Sequence, residues 1–323
     1  MNQIAVFSGS AHPKLAEDIC RDLGVPLNPT QIKRFSNDCI EVQLQANCRE
    51  QDVFLVQTLS EPVQEHLMEL LLMLDAARGA SAARITAVIP HYSYARSDKK
   101  DAPRISIGGR LVADLLKTAG ADRVLTMTLH SPQVHGFFSV PVDHLHALHE
   151  FAAHFRRYDL SDTVVVSPDL GNAKTAAAFA RSLGRPVAAG AKERISDTQV
   201  RISAIIGEVR DHDVIILDDE IASGGSIIEL MKHLRANGAR SARVACTHGI
   251  FGGDAVARLA AEPDVTEIVC TNTLPNAARQ LNDKLTILSV APALAEAMRR
   301  INSGDSVSAL FDEVVRPERA AAE

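Results

Sequence analysis

VIILDDEIASGGS, residues 214–226, reads as a buried strand that ends on two aspartates, a turn of small residues, and a helix that starts near Ser226 and continues as IIELMKHLRANG. Four apolar, mostly β-branched residues bounded by charge mark the strand. Apolar positions three and four apart mark the helix, which Gly238 closes. Ser223, Gly224, Gly225 and Ser226 let backbone approach a ligand closely, because glycine has no Cβ and tolerates positive φ. Turn amides, two hydroxyls and a helix N-terminus aim donors at one spot, which suits a phosphate. Asp218 and Asp219 would repel that anion, so at the strand's carboxyl end they suit sugar hydroxyls or a metal. The combination suggests a phosphorylated pentose. An ordinary strand-to-helix loop with an N-cap serine is the plainer alternative.

A chain of 323 residues is long for one core, so two α/β domains of about 150 residues each are expected. With 46% apolar and 23% charged residues the composition is that of a globular protein, and a net charge of −6 argues against nucleic acid as a partner. The N-terminus MNQIAVFSGS runs directly into a strand-like segment, and the apolar run LMELLLML carries Glu69 and is too short to span a membrane. A cytoplasmic protein without a membrane partner is therefore expected. Five cysteines without a CxxC pair fit reduced thiols better than a disulfide frame or a zinc site.

Working outward, the first half alternates strands and helices: IAVFSG, the helix HPKLAEDICRDLG closed by Gly24, a turn at 26–29, IEVQL, DVFLVQTL, a long helix with an apolar stripe at Leu67, Leu70, Leu71 and Leu74, and ITAVIP. After ITAVIP comes HYSYARSDKKDAPRIS. In open parallel sheets ligands sit beyond the carboxyl ends of strands, and Arg96, Lys99 and Lys100 suit a polyphosphate there; a solvated charged loop is the alternative. GGRLVADLLKTAGA reads as a helix and RVLTMTLH as a strand ending on His130. The domain junction is placed near 143–148, dividing 1–145 from 146–323, with the last helix and tail packing on the N-terminal domain. His144, His146 and His149 form an HxHxxH run that no carboxylate or cysteine completes, which disfavours a metal site.

In the second half TVVVSPD delivers Asp169 at a strand end, before Gly171 and the helix NAKTAAAFARSLG. PVAAGA is the next strand, and KERISDTQVRISAI a charged segment in which Lys192 and Arg194 lie two residues apart in a polar loop. Extended backbone would put both cations on one face, where they could stabilise charge on a transferring phosphoryl group; an exposed charged hairpin is the alternative. His130 and Asp169, one strand end in each half, suit Mg²⁺, although histidine is a less usual ligand for it than oxygen.

FSGSAHPKLA, MELLLMLDAARGASA, YARSDKKD, TAGADRVLTMTLHSPQVHGFF, VVVSPDLG, LDDEIASGGS, ACTHGIF and LSVAPALAEAMRRI with SVSALF, in that order, give the chain a resemblance to the ribose-phosphate pyrophosphokinase family over nearly its whole length. The resemblance implies an α/β fold of two phosphoribosyltransferase-type domains, each a mainly parallel sheet flanked by helices. It also implies reaction of Mg²⁺-bound ATP with ribose 5-phosphate to give phosphoribosyl pyrophosphate and AMP. By motif, Asp218 and Asp219 would hold the ribose hydroxyls, and Ala222, Ser223, Gly224, Gly225 and Ser226 the 5-phosphate. Lys192 and Arg194 would be the catalytic cations, with Arg194 also on the sugar phosphate. His130 and Asp169 would bind metal. Asn37, Asp38, Cys39, Arg96, Ser97, Asp98 and Lys99 would bind ATP. A homo-oligomer, hexamer or dimer, is implied, with inorganic phosphate and ADP as effectors at contacts matching Arg49, Ser306 and Ser308.

The sequence departs from the family pattern in several places. The turn FSDGE is FSNDC, which puts Cys39 where a glutamate is usual; DDxxDTxGT is DDEIASGGS, with Ala222 at the third aspartate. Asp-Leu-His is Thr128-Leu129-His130, and PDHGG is PDLGN with Lys174 following. A nucleobase phosphoribosyltransferase shares the phosphate turn but normally needs one such domain. A non-catalytic associated subunit would have lost the cationic loop.

Overall fold

The computed structural model describes residues 2–194, 200–280, 282–308 and 310, and for 192–194 and 200–203 the backbone alone. Two compact units divide the described residues: those up to 146, with 273–275 and 290–310, form the first, and those of 147–272 and 276–289 the second.

The first unit opens with β1 (Ile4–Ser8), α1 (Pro13–Leu23), β2 (Leu27–Asn28), β3 (Thr30–Arg34), β4 (Ile40–Leu44), β5 (Asp52–Val56) and α2 (Val63–Gly79). It continues with β6 (Arg84–Ile89), α3 (Gly108–Ala119), β7 (Arg123–Met127) and β8 (Val142–Leu145). The second unit comprises α4 (Leu148–Phe155), β9 (Thr163–Ser167), α5 (Ala173–Leu183), β10 (Val187–Arg194), β11 (Val200–Ile206) and β12 (Asp213–Ile221). It is completed by α6 (Gly225–Ala236), β13 (Ser241–Gly249), α7 (Ala255–Ala261), β14 (Val265–Thr271) and β15 (Leu285–Leu288), after which α8 (Ala291–Ser303) returns to the first unit.

The first sheet is parallel throughout, in the order β2-β1-β5-β6-β7-β8, and β3 and β4 form a separate antiparallel hairpin. β5, DVFLV, is buried at every position, as a strand covered on both faces requires. The helix α1 ends as its sequence predicts, with Gly24 at φ +74° accommodating the left-handed cap.

On α2 the inward face differs from the expected leucine stripe. Leu70 and Leu74 are buried, but so are His66 and Glu69, whereas Leu67 and Leu71 are only partly covered. Glu69 is affordable there because its carboxylate accepts from the Ser10 amide at 3.0 Å, the Ser10 hydroxyl at 2.7 Å and Gln57 Nε2 at 2.7 Å. These bonds fix the loop leaving β1.

The helix α8 is held to the first unit by polar contacts around buried Asp52. Arg84 reaches Asp52 through Nε at 2.8 Å and Nη2 at 2.5 Å, and donates also to the Ile301 carbonyl, while Asn302 donates to the same carboxylate at 2.9 Å. Beyond the carboxyl end of β6, Tyr92 buries its ring and donates its hydroxyl to the Gly109 carbonyl at 2.8 Å. Tyr92→Phe should cost about 1 kcal/mol through loss of this bond; a urea midpoint indistinguishable from the parent would show that it contributes nothing.

The second sheet has the order β11-β10-β9-β12-β13-β14-β15, parallel except for β11. Its central strands bury Val164, Val166, Val214, Ile216, Val244 and Ile268 against α6 and α7. KERISDTQVRISAI, for which a polar loop and a charged hairpin stood as alternatives, pairs as antiparallel strands at its described positions, with Lys192 opposite Ile202 and Arg194 opposite Val200. Residues 195–199 lie outside the described residues. No helix among the described residues is long and apolar enough to cross a membrane.

Candidate functional site

In the second unit the strand β12 runs on past Asp218 and Asp219 to Ile221, where the sequence alone predicted that it would stop at the aspartates. Parallel pairing carries it: Asp218 lies opposite Cys246, Glu220 opposite His248 and Ile221 opposite Gly249. Cross-strand partners thus override the local charge. Asp218 and Asp219 are half-buried, and the Asp219 amide donates to Asp218 Oδ1 at 2.9 Å. Beneath them the Cys246 thiol is pushed well up, first by burial and then by Cys270, Asp218 and Asp219, and burial raises Cys270 to about 12. Both are uncharged core thiols, and all five cysteines are free.

The turn after β12 is shaped by the segment that follows β13. The Ile221 carbonyl accepts the Phe251 amide at 3.0 Å, and the Ala222 carbonyl accepts the Gly252 amide at 2.9 Å. A trans peptide points its N–H opposite to its C=O, so the amides of Ala222 and Ser223 face away from residues 251–252. Gly224, not a serine, occupies the N-cap of α6, at φ +77°, and the Gly225 amide that follows lies 3.5 Å from Ser223 Oγ. The expected small-residue turn is therefore a run of outward-facing amides at a helix N-terminus, a geometry that binds anions.

Asp169 lies just past β9. Its Oδ1 accepts the Asn172 amide at 3.1 Å, and Asn172 Nδ2 donates to the Leu217 carbonyl at 2.9 Å, one residue before Asp218. Asn172 thereby joins the Asp169 loop to the aspartate-bearing end of β12. Lys192 and Arg194 lie where β10 has outrun β9, whose pairing ends at Ser167, and a bulge falls between Ala191 and Lys192. Their side chains lie outside the described residues.

In the first unit, Arg96 ends a short 3-10 helix after β6, and Ser97 anchors α3: its hydroxyl accepts the Gly108 amide at 2.8 Å and its carbonyl the Gly109 amide at 2.9 Å. Side chains at those glycines would meet Ser97 Oγ at 3.0 Å and the Tyr94 carbonyl at 2.9 Å, which accounts for both. Lys99 is exposed, and Asp98 accepts the Ser131 hydroxyl at 2.6 Å, joining this loop to the one that carries His130.

His130 is not the end of β7, which stops at Met127. Thr128 then turns at φ +41°, a left-handed conformation that costs a β-branched residue on the order of 1–3 kcal/mol. The Thr128 amide reaches the Leu145 carbonyl at 2.8 Å, and the Leu129 amide reaches His144 Nε2 at 2.8 Å. His144 therefore braces the His130 loop.

Asn37, Asp38 and Cys39 form the exposed tip of the β3–β4 hairpin, with Asp38 at φ +70° and the Cys39 amide on Asn37 Oδ1 at 3.2 Å. Arg49, Ser306 and Ser308 are exposed. Sequence reasoning missed Ser131, Asn172, Phe251 and Gly252; only the last two stand beside a signal, the glycine pair after THGIF.

Two family models match the chain. One described as the N-terminal domain of ribose phosphate pyrophosphokinase matches residues 4–120, and one described as the phosphoribosyl synthetase-associated domain matches residues 195–312. A Streptomyces coelicolor protein named putative ribose-phosphate pyrophosphokinase is 72% identical over 97% of this chain and 98% of its own length. A Deinococcus radiodurans ribose-phosphate pyrophosphokinase is 52% identical over 95% and 98%. The crystal structure of phosphoribosylpyrophosphate synthetase from Mycobacterium smegmatis superposes with a TM-score of 0.87 at 40% identity, covering 94% of this chain and 99% of that one. With both domain models matched and full-length relatives well above the identity at which folds diverge, the chain belongs to the ribose-phosphate pyrophosphokinase family.

Proposed function

We propose that this protein transfers the pyrophosphoryl group of ATP to the C1 hydroxyl of ribose 5-phosphate. The C1 hydroxyl loses its proton to solvent as its oxygen bonds to the β-phosphorus, the bond from that phosphorus to the α–β bridging oxygen breaks, AMP leaves, and phosphoribosyl pyrophosphate remains. The observation that carries the reading is the pairing of Asp218 and Asp219 with an amide-lined turn at the N-terminus of α6. Carboxylates accept the ribose hydroxyls, and the amides of residues 222–226 hold the 5-phosphate. Aligning two substrates and stabilising charge suffice for this chemistry.

Lys192 and Arg194 are the proposed cations for the transferring group, with Arg194 reaching the sugar phosphate. Asn37, Asp38, Cys39, Arg96, Ser97, Asp98 and Lys99 are proposed to bind ATP. Asp169, Asp218 and Asp219 supply hard oxygen donors, which fit Mg²⁺; His130 and Asp169 are the proposed ligands. When bound, the ion would neutralise phosphate charge. A cytoplasmic homo-oligomer, hexamer or dimer, responsive to inorganic phosphate and ADP, completes the proposal; five free cysteines support a reducing compartment.

Incubation with ATP, Mg²⁺ and ribose 5-phosphate should yield AMP and phosphoribosyl pyrophosphate in equal amounts. Consumption of phosphoribosyl pyrophosphate with a nucleobase, and no product from ATP, would make it a phosphoribosyltransferase instead.

A further inference from the structure

Three successive carbonyls of the turn after β12 point toward the segment that follows β13, and the third has a partner of a different kind. Backbone amides serve Ile221 and Ala222, whereas the Ser223 carbonyl accepts from Arg258 Nη2 at 2.5 Å. The same guanidinium is held at Nε by Asp254 Oδ1, 2.8 Å away, so one planar group spans both acceptors. Leu259, the next residue on α7, closes over Gly224: a Cβ there would lie 3.2 Å from Leu259 Cγ.

We propose that Arg258 is a positioning residue for the phosphate-binding turn, aiming the Gly224 amide at the sugar phosphate. Fixing the Ser223 carbonyl toward α7 turns the Gly224 N–H the opposite way, extending the run of Ala222 and Ser223 amides by one. A lock is needed at this peptide more than at its neighbours. Gly224 sits at φ +77° and lacks the Cβ that would restrict it, so the Ser223–Gly224 peptide can rotate at little cost. Rotated, it would present a carbonyl dipole to an incoming phosphate. A cationic donor also strengthens the bond and polarises the peptide, making its N–H a better donor to an anion. Lysine offers one nitrogen and cannot hold both Asp254 and the carbonyl in the same fork.

This role rests on the turn binding the phosphate of ribose 5-phosphate. Arg258 exposes 44% of its side chain and Asp254 72%, so their ion pair contributes little to global stability and the variants should fold. Arg258→Met should raise the KM for ribose 5-phosphate about tenfold, the size of one charge-assisted hydrogen bond, and leave the KM for ATP within twofold. Arg258→Lys should recover part of the loss, and Asp254→Asn should show a smaller rise in the same constant.

Calorimetric titration of ribose 5-phosphate into each purified full-length protein gives the same comparison without turnover. An Arg258→Met protein that melts with the parent and keeps its ribose 5-phosphate affinity overturns the assignment. So does an equal rise in both KM values, or a lysine variant no better than methionine. If the parent neither binds nor converts ribose 5-phosphate, the phosphate reading itself fails and takes this inference with it. A parent that binds and converts it, beside variants that match it, rejects Arg258 alone.

Discussion

Lys192→Ala is expected to cut turnover roughly a hundred- to a thousandfold while leaving the KM for ATP and for ribose 5-phosphate within a few-fold of the parent. The pyrophosphoryl group gathers negative charge as it passes between oxygens, and a cation that meets it only then lowers the barrier without tightening either substrate. Backbone geometry favours this placement. β10 continues beyond the last residue of β9 that it pairs with, so Lys192 lies past the carboxyl end of β9, and the register with β11 shifts just before it. Steady-state kinetics with each substrate varied in turn decide the matter. Unchanged turnover would remove Lys192 from the mechanism; a large rise in the KM for ATP alone would make it a ground-state nucleotide contact.

The elements whose signals are local were legible in the sequence. VIIL followed by charge and a glycine turn gave the strand and helix around Asp218. Gly24 and Gly184 ended α1 and α5 in left-handed caps at φ +74° and +66°. What escaped depended on distant partners. The strand β12 continues past Asp218 because β13 pairs with Asp218, Glu220 and Ile221, and residues 192–194 are strand because β11 lies beside them. Glu69 and His66 face inward on α2 because Ser10, Gln57 and Ser60 supply hydrogen bonds that a hydrophobic stripe cannot register. The candidate site divides in the same way. Residue types at strand ends marked Asp169, Asp218 and the small-residue turn, while Asn172 and Arg258 bond backbone carbonyls, which any sequence offers.

The same distinction explains how the turn accommodates Ala222 at a position where the family pattern carries aspartate. Ala222 serves through its peptide, whose carbonyl is held by Gly252 and whose amide faces outward, and neither requires a side chain. The carboxylate lost there leaves Asp218, Asp219 and Glu220 on the preceding strand.

Gly224→Val should abolish measurable synthesis at ordinary ribose 5-phosphate concentrations, through a rise of about a hundredfold or more in its KM. Two independent costs converge on this position. A β-branched residue at φ +77° carries a penalty on the order of 1–3 kcal/mol, and its Cβ would meet Leu259 at 3.2, 3.3 and 3.5 Å before the γ-carbons are considered. Leu259 is fully buried on α7 and has little room to retreat, so the turn must move, and with it the amides that face the phosphate. The neighbouring glycine provides the contrast. Gly225 begins α6 without a positive φ, and a Cβ there would find only Ser223 Oγ at 3.7 Å, an ordinary contact, so Gly225→Ala should cost no more than a few-fold. Isothermal titration with ribose 5-phosphate, beside a melting curve, separates a deformed turn from a lost fold. If Gly224→Val binds the sugar phosphate as the parent does, the turn is not its cradle, and the ligand's phosphate must be held elsewhere.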